Sequence, residues 1–473
     1  MKLQKNISKL SEERFMAEDK TSEEVLMDYL KSIKKRDRKG LTDEQRRDLK
    51  SILETHFKFV KCKQNEFLKK FNPWQNKEGQ NLIQKFYNID HPDSTNDFSW
   101  LNILKDDKKW KSFKSENPEW KKLEDENQHL NMRYQIPTHF HGDVDNAVVF
   151  HCMENPRGYL GDYKDSDIDK GIESTDLEGY FGKTYKLLNE DDSSKKSTDK
   201  IKSILEKYSK DDLPDIKDII KERYQLKKFD DKEITNIIYS GKSNLLHELE
   251  NMFEKEKDDF FEREYILNKN SKSKKPVLSE KYYYVAQYYA QLLDIDGKDL
   301  SKFKGESRVE NNEECKKALE IAQKICNLEI YPFSCAEPDL GENGIGEKIL
   351  LNSDLSKLGV YIVLRRIYIY LANKPNKSNK PVFVFRKYDG AWKKLFDELF
   401  KEVGLADKFL KDLEDHFFYC QPASAGGGIT EGNVISVSDF KAWKNIYDIL
   451  KKTAFTEISD LITKSDTDKE LKD

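Results

Sequence analysis

Residues 146–159, NAVVFHCMENPRGY, are the stretch from which the fold is best inferred. The apolar run at 146–152 is short and rich in valine, which predicts a buried β-strand. It ends in a Glu-Asn-Pro-Arg-Gly loop, and Asn-Pro and glycine favour turns. Because α/β folds bind ligands outside the carboxyl ends of their strands, this loop predicts a functional edge.

Further strands and helices follow in alternation along the chain. The strands are predicted at NLEIYPF (327–333), KPVFVFR (380–386) and HFFYCQP (416–422). The intervening helical stretches are KYYYVAQYYAQLLDI (281–295), VYIVLRRIYIYL (360–371, a long helix or a strand–helix run), AWKKLFDELFKEV (391–403) and DFKAWKNIYDILKK (439–452). Alternating strands and helices predict an α/β fold with a mostly parallel central sheet and helices on both faces.

The rest of the chain divides by composition. Residues 1–130 predict a helical N-terminal region, since 41–60 (LTDEQRRDLKSILETHFKFV) has apolar residues at helical spacing behind a threonine cap. The α/β core is predicted at 131–163 and 277–455. Residues 164–276 are strongly charged, which indicates a helical insertion. Residues 456–473 are expected to form a polar tail.

The amino-acid composition limits where in the cell the protein is expected and what it can bind. Charged residues make up 36% of the chain and the net charge is −4, so any nucleic-acid contact must come from a local basic patch. The six cysteines form no CxxC pair, which argues against a zinc ribbon and favours reduced thiols. With no apolar leader and no membrane-length apolar run, a cytoplasmic protein with no membrane partner is expected.

Three loops that follow predicted strands should meet at one edge of the sheet: 151–163, 331–338 and 421–433. They carry side chains and glycines suited to a nucleotide. Asn155 suits the positioning of a water molecule or the binding of a base edge. Tyr159, Tyr163 and Phe333 are flat rings suited to stacking on an extruded base. Phosphate ligands are expected from Arg157 and from the backbone N–H groups of Gly426, Gly427 and Gly428.

Together these motifs resemble the uracil-DNA glycosylase superfamily. VVFHCMENPRGY is similar to its first motif, a strand followed by a loop with the water-activating residue. IYPFS at 330–334 is similar to the strand that supplies a stacking aromatic, PVFVFRKYDGAWKKLF at 381–396 to a later strand-to-helix step, and CQPASAGGGITEGN at 420–433 to its last motif. The resemblance covers 137–163 and about 326–450, and suggests a divergent bacterial member, of a kind that also occurs in anti-phage defence.

The resemblance implies cleavage of the N-glycosidic bond of a base in DNA, phage DNA included, without metal or organic cofactor. Asn155 and Gln421 would be catalytic, Ser424 would join the three rings in binding the base, and Ser334 would join the phosphate ligands. The chain also departs from the family pattern: the first two motifs are widely separated, Cys152 replaces a family glycine, and Ala423 shifts the serine of the last motif. Gln421 replaces the histidine of that motif, which glutamine cannot match as an electrophile.

Two alternatives stay open. One is a catalytically inactive module of the same fold that binds nucleic acid or a phage protein, with the N-terminal helices or the insertion as the protein-binding surface. The other is a metal-dependent hydrolase that uses His139, His141 and Asp143, a His-x-His-x-Asp pattern that usually needs further histidines downstream.

Overall fold

The computed structural model describes Glu24, Met27, Asp28 and residues 41–87, 100–118, 137–155, 241–267, 274–295, 299–333, 340–341, 344–373, 380–422, 427–443 and 446–463. These residues form a mixed α/β fold around one six-stranded sheet. Within the described ranges, no helix is both long and apolar enough to cross a bilayer.

The sheet has the order β1-β3-β2-β4-β5-β6. Its strands are β1 (Phe140–His141), β2 (Val149–Met153), β3 (Ile325–Glu329), β4 (Val382–Phe385), β5 (Phe418–Cys420) and β6 (Ile435–Ser436). The central four, β3-β2-β4-β5, are parallel, whereas β1 and β6 pair antiparallel at the two ends. The predicted mostly parallel sheet is therefore confirmed for its centre only.

Helices lie against both faces of the sheet. Those described before β3 are α1 (Asp43–His56), α2 (Gln64–Phe71), α3 (Lys77–Tyr87), α4 (Lys108–Glu116), α5 (Asn244–Lys255), α6 (Asp258–Glu262), α7 (Arg308–Asn311) and α8 (Glu313–Gln323). After β3 come α9 (Ile345–Asn352), α10 (Lys357–Ala372), α11 (Lys393–Glu402), α12 (Asp407–Phe417), α13 (Val437–Ala442) and α14 (Tyr447–Thr463). Shorter 3-10 turns span Lys58–Lys61, Pro73–Gln75, Trp100–Leu104, Leu278–Glu280 and Leu300–Phe303, and π-helical turns span Tyr284–Tyr288 and Tyr388–Trp392.

Strand residues alternate between two hydrophobic cores, as the two-residue period of a β-strand requires. Phe150 and Cys152 of β2 belong to the first core, with α1 to α4 and α9 to α13. Val149 and Met153 belong to the second core, with α5, α6, α8, α14 and the tyrosine-rich stretch 282–289. Both faces of every central strand are buried, which explains their nearly continuous apolar sequences.

One buried arginine joins the N-terminal helical region to the sheet. Arg365 on α10 forms a two-pronged ion pair with Asp145, at 2.7 and 2.8 Å, just before β2. The same guanidinium donates to the carbonyl oxygens of Val60 and Cys62, which follow α1. The N-terminal region is thus held against the first face by polar contacts as well as by apolar packing.

Two regions assigned from composition contribute helices to the second core. Within the predicted charged insertion (164–276), α5 and α6 bury Leu245, Leu249 and Phe261. Within the predicted polar tail (456–473), α14 continues to Thr463 and buries Ile458. In both places a single apolar stripe on a highly charged helix is enough to bind it to the sheet.

Replacing Arg365 by methionine should lower the free energy of unfolding by about 3–5 kcal/mol, because Asp145, whose side chain is only 18% exposed, would lose the guanidinium that pairs with it. Urea denaturation measures the change. The matched control, Arg47→Met on the exposed face of α1, should stay within about 0.5 kcal/mol of wild type. Equal effects of the two substitutions would contradict this account of how the regions are joined.

Candidate functional site at the carboxyl edge of the sheet

The order in which the chain forms its strands reverses direction between β2 and β4. From β2 the chain first forms β3 on one side and later forms β4 on the other side. Such a reversal is a topological switch point, where the two connections leave in opposite directions and open α/β sheets bind their ligands. Glu154 and Asn155 follow β2 at this point, and Arg386 and Lys387 follow β4.

Opposite charges meet across the switch point. A carboxylate oxygen of Glu154 lies 3.4 Å from Arg386 Nη2, and the other lies 4.0 Å from Lys387 Nζ. The backbone fixes both partners, because Arg386 N–H donates to the Cys152 carbonyl and Tyr331 N–H donates to the Glu154 carbonyl. The parallel ladder therefore continues past the strand ends and holds this ion pair at the rim.

Lys387 has a backbone conformation that non-glycine residues rarely adopt, with φ at 49° and ψ at 44°. It stands directly before the π-helical turn Tyr388–Trp392, and the second π-helical turn, Tyr284–Tyr288, reaches the same edge through Tyr288. Left-handed residues and π-helical turns are both enriched at functional sites. Their coincidence at the switch point supports a ligand-binding role for this edge.

Beneath the rim, buried polar side chains replace apolar ones on the second face of the sheet. His151 on β2 lies beside Asn327 on β3 in the parallel register, and Glu329 lies one step nearer the rim, beside Met153. Gln421 follows β5 and is 7% exposed, whereas His151 and Asn327 are fully buried. A polar layer in the middle of a sheet is costly unless each group finds a hydrogen-bond partner.

These groups form a hydrogen-bond chain in which each side chain accepts from the one before it and donates to the next. Asn327 Nδ2 donates to the Tyr289 hydroxyl at 2.5 Å, and that hydroxyl donates to His151 Nδ1 at 3.0 Å. His151 Nε2–H donates to Gln421 Oε1 at 3.2 Å, and Gln421 Nε2 donates to the carbonyl oxygens of Gly427 and Gly428 at 3.2 and 2.8 Å. The pattern assigns the neutral Nε2–H tautomer to His151.

Burial lowers the pKa of His151 from 6.5 to about 3, despite the hydrogen bond to Gln421 that favours the charged form. Arg386 lowers this pKa further through its positive charge. His151 is therefore uncharged when the protein is folded at neutral pH. Its role is to connect Tyr289 with Gln421.

The low pKa of His151 predicts a loss of stability in acid. Between pH 6.5 and the folded pKa, the unfolded chain binds the proton and the folded chain does not, so stability falls as pH falls. From pH 7.5 to pH 5 this residue should account for about 2 kcal/mol of the free energy of unfolding. Urea titrations of wild type and His151→Asn should show a shallower pH dependence for the variant, and identical slopes would contradict the assignment.

Close packing explains two of the glycines after β5. A side chain at Gly427 would lie 2.9 Å from the Tyr288 ring, and one at Gly428 would overlap the backbone oxygen of Gln287. Ile429 N–H also donates to the Tyr288 carbonyl at 2.8 Å. The predicted phosphate-binding role is untested by these contacts, but the contacts give both glycines a structural reason.

Gly428→Ala should therefore lower the free energy of unfolding by about 1–3 kcal/mol, the usual cost of forcing extra atoms into a packed site. Gly432→Ala is the matched control, since a methyl group there meets nothing within 4 Å. Thermal unfolding of both variants tests the difference. A Gly428→Ala protein as stable as the Gly432→Ala protein would contradict the packing account.

Apart from Gln421 and the glycines, the predicted site residues either lie at the switch point, are enclosed in a core, or fall outside the described residues. Asn155 lies at the switch point, half-buried, as expected for a residue that follows the first strand. Phe333 is 1% exposed and its ring meets Tyr331 and Trp74 edge-on in the first core, so it is enclosed by protein. Tyr159, Tyr163, Arg157, Ser334, Ser424 and Gly426 lie outside the described residues.

Gln421 does lie at the expected edge, but its amide is engaged on both sides by His151 and the glycine carbonyls. It therefore anchors the loop after β5 to the sheet.

Comparison of the chain with family models, with curated proteins and with solved structures gives no match. Similarity therefore assigns this site to no known family.

The residues of the metal-hydrolase alternative are occupied by other contacts. His139 accepts from Trp74 Nε1 and donates to the Leu355 carbonyl, and burial lowers its pKa to about 4. Asp143 accepts the backbone N–H groups of Asp145 and Asn146. Over the described parts of the chain, no three His, Cys, Asp or Glu side chains come together as a metal site would require.

Sequence reasoning missed several groups at this edge. Glu154 and Arg386 form no recognisable motif, because a single charged residue after a strand is common. Glu329 falls within a predicted apolar strand and Tyr283 within a predicted core helix, yet Tyr283 is 41% exposed and its ring lies 5.3 Å from that of Tyr288. The available signal was positional: each charged residue follows or ends a buried parallel strand.

Proposed function

We propose that this chain cleaves N-glycosidic bonds of bases in DNA, in the manner of the uracil-DNA glycosylase superfamily. The observation that supports it is the place of Asn155. The motif on which the resemblance depends forms a strand with a parallel neighbour on each side, so Asn155 stands at the switch point of the sheet. The resemblance needs its water-positioning residue at such an edge.

The surrounding side chains suit this chemistry. In the proposal, Asn155 orients the attacking water and stabilises the positive charge on the sugar, and the Glu154 carboxylate accepts a proton from that water. Arg386 and Lys387 are cations at the same rim and would contact the DNA backbone. The exposed Tyr283 ring, next to Tyr288, takes the base-stacking role that the enclosed Phe333 ring is poorly placed to fill.

The remaining predicted contacts belong to the same proposal. Tyr159, Tyr163 and Ser424 would bind the base, and Arg157, Ser334 and Gly426 would bind phosphate. DNA is the partner, phage DNA included, and anti-phage defence is the proposed setting. The reaction needs no metal or organic cofactor.

A second candidate function is binding of nucleic acid or of a phage protein without catalysis. It is favoured by Gln421, since the residue that stands where the family has its histidine is fully occupied in holding a loop. A protein with an intact recognition edge and no electrophile for the leaving base would bind its target and leave the bases in place.

Asn155→Ala should lower base release by at least about 10²-fold, because one positioned polar group at a reacting centre typically contributes that much. The assay uses plain, uracil-containing and phage-modified DNA without metal, and detects free base and alkali-labile abasic sites. Asn146→Ala, in the turn that precedes the amino end of the same strand, is the matched control and should match wild type.

The same DNAs in an electrophoretic shift assay separate the two candidates. A wild-type protein that shifts DNA and releases no base supports the binding module and rejects the glycosylase. Base release that survives Asn155→Ala unchanged rejects the proposed site even if the protein is a glycosylase.

A further inference from the structure

Glu329 is a buried carboxyl group at the same edge whose purpose the fold does not explain. It is the last residue of β3, is 2% exposed, and lies beside Met153 in the parallel register, one residue before Glu154 on the neighbouring strand. Among the described residues, its Oε2 has no hydrogen-bond partner. A polar atom buried in this way costs free energy, so its retention calls for a functional reason.

The surroundings of Glu329 favour the protonated acid. Burial raises the pKa of this carboxyl well above 4.5; the charge of Arg386 opposes the shift, and the charge of Glu154 adds to it. The other groups near it are neutral at physiological pH and burial raises their pKa as well: Tyr284, Tyr288, Tyr289 and Cys152. Among the described groups whose charges act on Glu329, Arg386 is the cation, and the Glu154 carboxylate lies 3.4 Å from its Nη2.

Two carboxyl groups at one edge thus have opposite environments. Glu154 is half-buried, and its carboxylate lies 3.4 Å from Arg386 Nη2 and 4.0 Å from Lys387 Nζ. Glu329 is enclosed between the sheet and the tyrosine-rich stretch. Pairs of titratable groups whose environments favour opposite protonation states are how enzymes provide an acid and a base in one site.

We propose that Glu329 is the proton donor of this site, and that it protonates the leaving base while Glu154 takes a proton from the attacking water. The inference rests on the proposed glycosylase function and adds the acid that Gln421 cannot supply. Its Oε2, which has no described partner, is the atom that would carry the proton to be donated.

The proposed step balances. The C1′–N bond breaks and its electron pair stays on the base, which receives the proton of Glu329. Water adds its oxygen to C1′ and gives one proton to the Glu154 carboxylate. Return of that proton from Glu154 to Glu329 through solvent restores both groups, so the sum is DNA plus water giving an abasic site plus free base, with no oxidant or reductant.

The test is Glu329→Gln in the full-length protein, assayed for single-turnover base release from the DNA that wild type cleaves, between pH 5 and pH 10. Glutamine keeps the shape and the neutral charge but has no acidic proton. The rate at pH 7 should fall about 10²- to 10⁴-fold, the usual contribution of a general acid. The wild-type rate should decline as pH rises through the pKa of Glu329, and the variant should lose that decline. Glu320→Gln, an exposed glutamate on α8, the helix that leads into the amino end of β3, is the control and should keep the wild-type rate and pH profile.

Infrared difference spectra between wild type and Glu329→Gln at pH 7 provide a readout that needs no substrate. The carbonyl band of a protonated carboxylic acid should be present in wild type and absent in the variant. Thermal unfolding checks that the variant folds; at pH 7 it should be at least as stable as wild type, because a carboxyl with a raised pKa destabilises the fold above its unfolded pKa.

The failures are distinguishable. An active wild type whose rate and pH profile survive Glu329→Gln, or whose infrared band is missing, overturns the role of Glu329 and leaves the glycosylase in place. A wild type that releases no base from any DNA tested rejects the proposed function, and the proton-donor role with it, whether or not the infrared band is present.

Discussion

The parallel pairing of β2 with one strand on each side is the constraint on which the rest of this structure depends. It buries both faces of β2 and so requires two separate hydrophobic cores, one completed by the N-terminal helices and one by α5, α6, α8 and α14. It also directs the carboxyl ends of four strands to one edge. The chain forms β3 and β4 on opposite sides of β2, and Glu154, Asn155 and Arg386 follow the strands at this switch point.

The central strands could be predicted because their two buried faces leave a nearly unbroken apolar sequence, as in 149–153 and 382–385. Helix α1 could be predicted from its threonine cap, since Thr42 and Gln45 form the reciprocal capping contacts that the sequence indicates. The short edge strands β1 and β6 could not, because two residues carry no periodicity. Their antiparallel pairing depends on contacts far apart in sequence, and it is the reason the sheet is mixed.

The candidate site was predictable in place but less so in its residues. Position along the chain indicates which loops share an edge, and Asn155 lies at that edge. It does not indicate which way a ring turns: Phe333 enters the first core, where Trp74 from the N-terminal region covers it, and Tyr283 instead stays exposed. Nor does it distinguish an electrophile from an anchor at position 421. That distinction depends on His151 and the glycine carbonyls, 270 and six to seven residues away in sequence.

The hydrogen-bond chain from Asn327 to the glycine carbonyls has a consequence for proton chemistry at this edge. Both ring nitrogens of His151 are already committed, one as acceptor and one as donor. A proton on Nδ1 would turn the Tyr289 hydroxyl from a donor into an acceptor, and burial lowers the pKa of the imidazole to about 3, so His151 does not titrate near neutral pH. Histidine is the usual proton carrier near neutral pH, yet in this sheet His151 has a structural role, because it connects the Tyr289 hydroxyl with the Gln421 side chain. Among the described side chains at this edge, proton transfer would then fall to oxygen acids such as Glu329.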